Sequence, residues 1–231
     1  MIAFDVAAAG NNATGPTTNT LTTPWSHNSG VESGILLAGF SYDTTAPNSR
    51  SVGRNVTFGG EPMEMIQQVP KGYWPYIEGA PGYVELWGAV IEDTGAATVS
   101  VGLSYDQDTG DPWSEDGATF SNFRGSSVSF GGLTSWGPSS SHSSSNEWIS
   151  APISGFQNTF TVGVIGCDSG IEDDFNQTTL FQDPTNTLLI GQAQGSGAFK
   201  LQGNGGPWGI CMVQLRPVVY LADNQGNGII W

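Results

Sequence analysis

The residues that could do chemistry in this chain gather in a few places. Asp106, Asp108 and Asp111 open an acidic stretch that Glu115 and Asp116 extend. Calcium takes about six to eight oxygen ligands, often from alternating Asp in a Gly-containing loop. Asp106-x-Asp108-x-Gly110 has that character, but Asp111-Pro112 breaks the later ligand spacing and no helices flank it. A solvated acidic loop is the expected reading, and calcium is the only cofactor the chain suggests. Asp168, Glu172, Asp173 and Asp174 form a second, similar loop. The only two histidines, His27 and His142, have no second His or Cys at zinc-ligand spacing. No GxSxG elbow supplies a nucleophile, and His142 lies in the Ser-rich stretch Pro138 to Asn146, expected to be a loop. No Gly-rich run follows a strand and opens a helix, so no phosphate cradle is expected.

Glycoside hydrolysis needs two carboxylates flanking a bond. Glu61, Glu64, Glu78 and Glu85 are formal candidates, but spacing alone brings no pair together. Tyr73, Trp74, Tyr76, Trp113 and Trp136 fall in expected loops. There they would either stack on sugar rings or cap the ends of a core. No catalytic residues and no resident metal are assigned, and the chain is not expected to be an enzyme.

The elements that must position these residues are strands. Tyr83 to Asp93 is the clearest, with Gly82 before it and Thr94-Gly95 after it as turn signals. At a period of two, Val84, Leu86 and Val90 form an aliphatic core face. Tyr83, Glu85, Trp87 and Ile91 form the other, expected to pack under a loop or a neighbouring subunit. Ile2 to Ala7 reads as a first strand. Thr20 to His27 is a strand that Pro24 makes an edge or a bulge. Gly34 to Tyr42 is apolar throughout and therefore central. Val52 to Phe58 is expected to pair with Met63 to Val69 as a hairpin. Ala97 to Tyr105 alternates plainly. Ala118 to Phe130 is one bulged strand or two short ones. Glu147 to Ile153, Phe156 to Cys167, Thr178 to Gln182, Leu188 to Gln194 and Phe199 to Gln202 follow. Trp208 to Pro217 closes the set, with Ile210 and Met212 on one side and Cys211, Val213 and Leu215 on the other.

Composition agrees with an all-β chain. The 231 residues include 33 Gly and 13 Pro, which punctuate many short strands. A chain this long buries roughly 70% of its unfolded surface, so it needs no disulfide or metal to fold. Cys167 and Cys211 lie in apolar runs and are expected as buried free thiols; pairing would need matching geometry. The net charge of −15, with six basic residues, opposes binding to nucleic acid or anionic membrane surfaces. The amino terminus lacks a basic n-region and an apolar run, so no signal peptide is expected. The expected architecture is a single, jelly-roll-like β-sandwich over residues 1–217, with residues 218–231 as a C-terminal arm. Tyr220, Leu221, Ile229, Ile230 and Trp231 make that arm apolar. It either folds back as an extra strand or docks on a protein partner.

Several segments, taken in order, carry a resemblance. They are Ile2-Ala-Phe-Asp-Val-Ala, Leu21-Thr-Thr-Pro-Trp-Ser-His27, Gly34-Ile-Leu-Leu-Ala-Gly-Phe-Ser-Tyr42 and Val56-Thr-Phe-Gly-Gly60. Tyr83-Val-Glu-Leu-Trp87, Ala97-Thr-Val-Ser-Val101 and Phe199 through Trp208 to Leu215-Arg-Pro217 continue the series. Over residues 1–217 the chain resembles a β-sandwich domain widespread in bacteriophage virion proteins and in some bacterial surface proteins. Pro24 departs from the usual run of the second segment. The resemblance implies a capsid decoration, head-fibre or tail accessory protein, and it carries over no catalytic residues. Its implied partners are the major capsid protein or other virion proteins, with homo-oligomers expected. Its implied location is the virion, assembled in the host cytoplasm. A lone domain with a short apolar arm suits a head-decoration protein best. The alternatives are a carbohydrate-binding adhesin or tail receptor-binding module using Tyr73, Trp74 and Tyr76, and then a glycoside hydrolase.

Overall fold

The computed structural model describes the chain except residues 1, 11, 14, 47–51, 73–81, 106–116, 146–147, 154–158, 169, 175–176, 195–196, 204–205, 217–219, 223–227 and 231. In the strands over 148–153, 172–174, 197–203, 220–222 and 228–230 it describes the backbone, and of their side chains only that of Phe199. The first strands are β1 (Ala3–Ala9), β2 (Thr17–Thr18), β3 (Thr20–Ser29), β4 (Gly34–Thr44) and β5 (Val52–Phe58). Then come β6 (Glu61–Pro62), β7 (Glu64–Pro70), β8 (Tyr83–Ile91), β9 (Gly95–Tyr105) and β10 (Thr119–Gly131). The second half holds β11 (Ser139–Ser144), β12 (Trp148–Ile153), β13 (Phe160–Cys167), β14 (Ile171–Asp174) and β15 (Thr178–Gln182). It ends with β16 (Leu188–Gln194), β17 (Gly197–Gly203), β18 (Trp208–Leu215), β19 (Tyr220–Ala222) and β20 (Gly228–Ile230).

These strands form sheets that stack face to face. The first sheet runs β3-β9-β5-β6, and the second β1-β10-β4-β8-β7 with β2 added on β10. The third runs β11-β18-β13-β16-β15 and the fourth β12-β17-β14. The first core lies between sheets one and two and holds Leu21, Trp25, Phe40, Tyr42, Val101 and Phe123. The second lies between sheets two and three and holds Ile35, Leu37, Leu86, Phe130, Val164 and Val213. The third backs sheet three onto sheet four through Ile165, Leu189, Phe199, Trp208 and Ile210. The fold is thus all-β with sheet packed on sheet, as the strand pattern predicts. Sheets two and three are each covered on both faces, which is why β4 and β18 read as continuous apolar runs. Both faces of β18 match expectation, with Ile210 and Met212 in the third core and Cys211, Val213 and Leu215 in the second.

Several local readings hold. Pro24 sits on β3, at the edge of its sheet, where a missing N–H breaks no ladder. It is exposed, and the strand keeps strict alternation around it. β10 is one strand whose register shifts between Ser121 and Arg124, with Asn122 at a positive φ of 51°. Cys167 and Cys211 are buried thiols not joined in a disulfide. They belong to the third and second cores, on opposite faces of one sheet, so no disulfide can join them.

Four expectations are corrected. The hairpin after β5 spans only Thr57↔Pro62 and Phe58↔Glu61. The chain then crosses at Met63, which plugs the first core, and β7 pairs with β8 in the second sheet instead. The Ser-rich stretch forms β11, an edge strand paired with β18 over its whole length. A strand that is polar on both faces has no hydrophobic period to reveal it. Part of the second acidic loop is β14, paired with β17. Finally, Val90 is 46% exposed rather than core.

Candidate functional site

Among the described residues, three clusters bring charged side chains together with hydrogen-bonding partners. The first lies between β3 and β10. Trp25 Nε1 donates to Ser127 Oγ at 3.0 Å. Ser127 Oγ is 2.8 Å from His27 Nδ1, and His27 Nε2 is 3.0 Å from Ser129 Oγ. Ser129 Oγ donates to Asp5 Oδ2 at 2.8 Å. Because Ser129 spends its proton on Asp5, it must accept from His27, which fixes the proton on Nε2. Nδ1 then accepts from Ser127. The chain of donors runs one way, from an indole to a carboxylate, and Asp5 also accepts from Ser29 Oγ and Gly30 N. Strict alternation on β3 puts Trp25, His27 and Ser29 on the inner face, and β10 answers with Ser127 and Ser129. His, Ser and Asp meet here, but His27 is 0% exposed and both ring nitrogens are bound to serines. A substrate cannot reach it, so the arrangement is a structural strap.

Burial lowers the His27 pKa from its ordinary 6.5, against the upward pull of Asp5. Well above that ordinary value folded and unfolded chains both hold it neutral. Below it the unfolded chain takes up a proton that the folded chain resists. Stability should therefore fall as pH drops from about 7 toward 5, by a part that vanishes in His27→Gln. Urea midpoints for both proteins across that range test this, and parallel curves would refute it.

The second place is on β8. Glu85 is 0% exposed in the first core. Its Oε1 accepts from Arg54 Nε at 2.6 Å and from Tyr42 Oη at 2.8 Å, and its Oε2 accepts from Trp87 Nε1 at 2.9 Å. Arg54 also donates to Tyr42 Oη at 3.2 Å and stands over the Tyr83 ring at 5.8 Å. Burial first, then the charge of Glu85, pushes the Tyr42 phenol well above its ordinary 10, so it stays a donor. The face of β8 expected under a loop or a neighbouring subunit is therefore covered by the protein's own first sheet. Glu85, a formal hydrolase candidate, is a sealed ion pair. Glu61 and Glu64 are exposed on β6 and β7. Glu61, Glu92 and Asp93 line an open cleft of about 440 Å³ beside Val90.

The third place is a cleft of about 270 Å³ lined by Ser41, Asp43, Lys71, Arg124, Asp168 and Thr185, among others. Lys71 is 3% exposed and its Nζ bonds to Oδ1 of both Asp43 and Asp168. Asn122 Nδ2 donates to Asp43 Oδ2 at 2.6 Å. Across the cleft, Arg124 Nε lies 3.5 Å from Asp183 Oδ2. Asp183, 1% exposed, accepts the backbone N–H groups of Thr185, Thr187 and Leu188, which fixes the turn before β16. Burial raises the Asp168 pKa, against the opposing pull of Lys71.

Asp106, Asp108, Asp111, Tyr73, Trp74, Tyr76, Glu78, Trp113 and Trp231 lie outside the described residues. Among the described residues, no group of three His, Cys, Asp or Glu converges on a metal position. Trp136 packs against the second core, and a Cβ on Gly88 would stand 2.7 Å from its ring, so the indole rests against β8 at that glycine. His142 is carried on β11, opposite Ile210. The backbones of Tyr220, Leu221, Ile229 and Ile230 form the antiparallel pair β19–β20, with Tyr220↔Ile230 and Leu221↔Ile229 in register.

Sequence reasoning does not single out Lys71 and Arg124, which are buried, or Arg54, whose side chain is 8% exposed. Their signal is rarity and place. Only six basic residues occur in the chain, and these three lie in or beside apolar strands. No family model, curated protein or solved structure matches the chain.

Proposed function

We propose that the chain is a non-enzymatic structural component of a bacteriophage virion, a capsid decoration protein acting by protein–protein contact. The observation that carries this reading is the pair β19–β20, a two-stranded sheet of its own outside the four stacked sheets. A lone two-stranded hairpin is marginal in water. Its sequence is apolar at Tyr220, Leu221, Ile229 and Ile230, so a partner surface that covers it would stabilise it. The major capsid protein, or another copy of the chain on the particle, is the proposed partner. The closed networks at His27 and Glu85 support the same reading, since they spend polar groups on stiffening the layers.

Deleting residues 218–231 tests it. The truncated protein should fold, keep its melting temperature, and be lost from purified particles. Incorporation at the full-length level would overturn the arm as the attachment. Specific binding on a glycan array, abolished by Trp74→Ala, would replace this reading with that of an adhesin.

A further inference from the structure

We propose that Lys71 and Asp43 join in an intramolecular isopeptide bond, with Asp168 as the proton relay. The three side chains come from three separate places: the turn after β7, the end of β4, and the residue just after β13. Their convergence is built by the fold. Lys71 N donates to Gly82 O at 2.9 Å and Gly72 N to Trp208 O at 3.1 Å, which clamps the backbone on either side of the lysine stem. The stem passes over Gly82, where φ is +150°. A Cβ there would stand 2.8 Å from Lys71 Cε and 2.8 Å from Asp43 Cα. The missing side chain opens the path by which the amine crosses the start of β8 to reach β4.

The groups are those an amide synthesis needs. Nζ already bonds to Asp43 Oδ1, so nucleophile and electrophile are held together without diffusion. Such positioning is worth effective molarities of up to about 10⁵–10⁸ M in well-oriented systems. Asp43 Oδ2 takes a hydrogen bond from Asn122 Nδ2 at 2.6 Å, a donor placed where negative charge develops when Nζ adds to Cγ. Asp168 Oδ1 bonds to the same Nζ, so one carboxyl can take the proton from nitrogen and return it to the departing oxygen.

The step balances without a co-reactant. Lys71 passes its ammonium proton to Asp43 Oδ1, leaving a free amine, a neutral Asp43 carboxylic acid and the Asp168 carboxylate. The amine lone pair adds to Asp43 Cγ and forms the N–C bond. Asp168 accepts the second Nζ proton and delivers it to Oδ1. The C–O bond breaks, and Oδ1 leaves as water through the open cleft. Nothing is oxidised or reduced. The product ties β4 to the end of β7 across β8, a covalent rung through the second sheet.

The test is the intact mass of the full chain, denatured and reduced. The wild type should be one water lighter than its sequence. Tryptic digestion should leave Lys71 uncut and give a branched peptide joining it to Asp43. Lys71→Arg, which keeps the charge but not the nucleophile, should show its full sequence mass, as should Asp43→Ala. Asp43→Asn should instead lose one ammonia. Asp168→Asn should accumulate unlinked chain. The proposal is overturned by a wild-type mass equal to the sequence, or by a water loss that survives Lys71→Arg. A branched peptide ending on Asp168 would overturn Asp43 as the acceptor, and complete linkage in Asp168→Asn would overturn the relay.

Discussion

Glu85→Leu should cost about 3–5 kcal/mol of folding stability, the range for removing one partner of a buried ion pair. The size of the loss comes from what stays behind. The Arg54 guanidinium has a side chain only 8% exposed and would lose the carboxylate at 2.6 Å. Tyr42 Oη and Trp87 Nε1 would lose their acceptor in the same step. Each orphaned donor costs about 1–3 kcal/mol when no water can reach it. The isosteric Glu85→Gln should also destabilise. Its amide nitrogen must face either Trp87 Nε1 or the Arg54–Tyr42 side, and in both places a donor meets a donor. The cycle partner is Arg54→Met. If the pair acts as a unit, Arg54→Met/Glu85→Leu should be more stable than Glu85→Leu alone, because the guanidinium that lost its Glu85 carboxylate is gone. Urea unfolding of the four proteins measures this. A double variant as unstable as the sum of the singles would show that Glu85 and Arg54 do not couple.

Glu85 also shows where the sequence was legible and where it was not. The strand from Tyr83 to Ile91 was plain from its period, and so was its division into two faces. The alternation of β3 and β9 and the two apolar sides of β18 were equally plain. A period of two tells which residues share a face; it does not tell what covers that face. Two partners of Glu85 lie 31 and 43 residues away, at Arg54 and Tyr42; the stacking of the first sheet on the second brings in Arg54, and the pairing of β4 with β8 brings in Tyr42. The same holds for His27, whose serines stand 100 and 102 residues on. Lys71 and Asp168 are 97 residues apart.

The readings that failed did so for local reasons. β11 is built of serines and one histidine, and its support is backbone pairing with β18 together with bonds to β7. Ser139 Oγ donates to Ile66 O at 3.2 Å, and Gln67 Nε2 donates to Ser141 Oγ at 3.0 Å. None of this leaves a hydrophobic signal. Val90 continues the face of Val84 and Leu86 in sequence, but neither the second nor the third core extends to it. The segments on which the expected resemblance rests supply Trp25, His27, Tyr42, Glu85 and Trp87. In this structure those residues are the framework of the first core and its polar straps.

Leu86→Asp should prevent folding, and the reason lies one residue from Glu85. Both positions are 0% exposed and both are on β8. Successive side chains on a strand point to opposite faces. Glu85 faces the first sheet and meets Arg54, Tyr42 and Trp87. Leu86 faces the third sheet and belongs to a core built mainly of aliphatic side chains, among them Ile35, Leu37, Val128, Val164, Leu188 and Val213. A carboxylate at 85 is neutralised and hydrogen-bonded; a carboxylate at 86 would enter an aliphatic core that holds no cation. Burying an isolated polar group costs roughly 2–7 kcal/mol, and an ionised one costs more. A domain holds only about 5–15 kcal/mol in total. Leu86→Ala separates the charge from the lost volume, since truncation alone should cost about 2–5 kcal/mol and leave a folded protein. The expected pair of results is therefore cooperative unfolding at a lower urea midpoint for Leu86→Ala, and insoluble or unfolded chain for Leu86→Asp. Soluble Leu86→Asp with the far-ultraviolet spectrum and melting of the wild type would show that the second and third sheets do not close over β8.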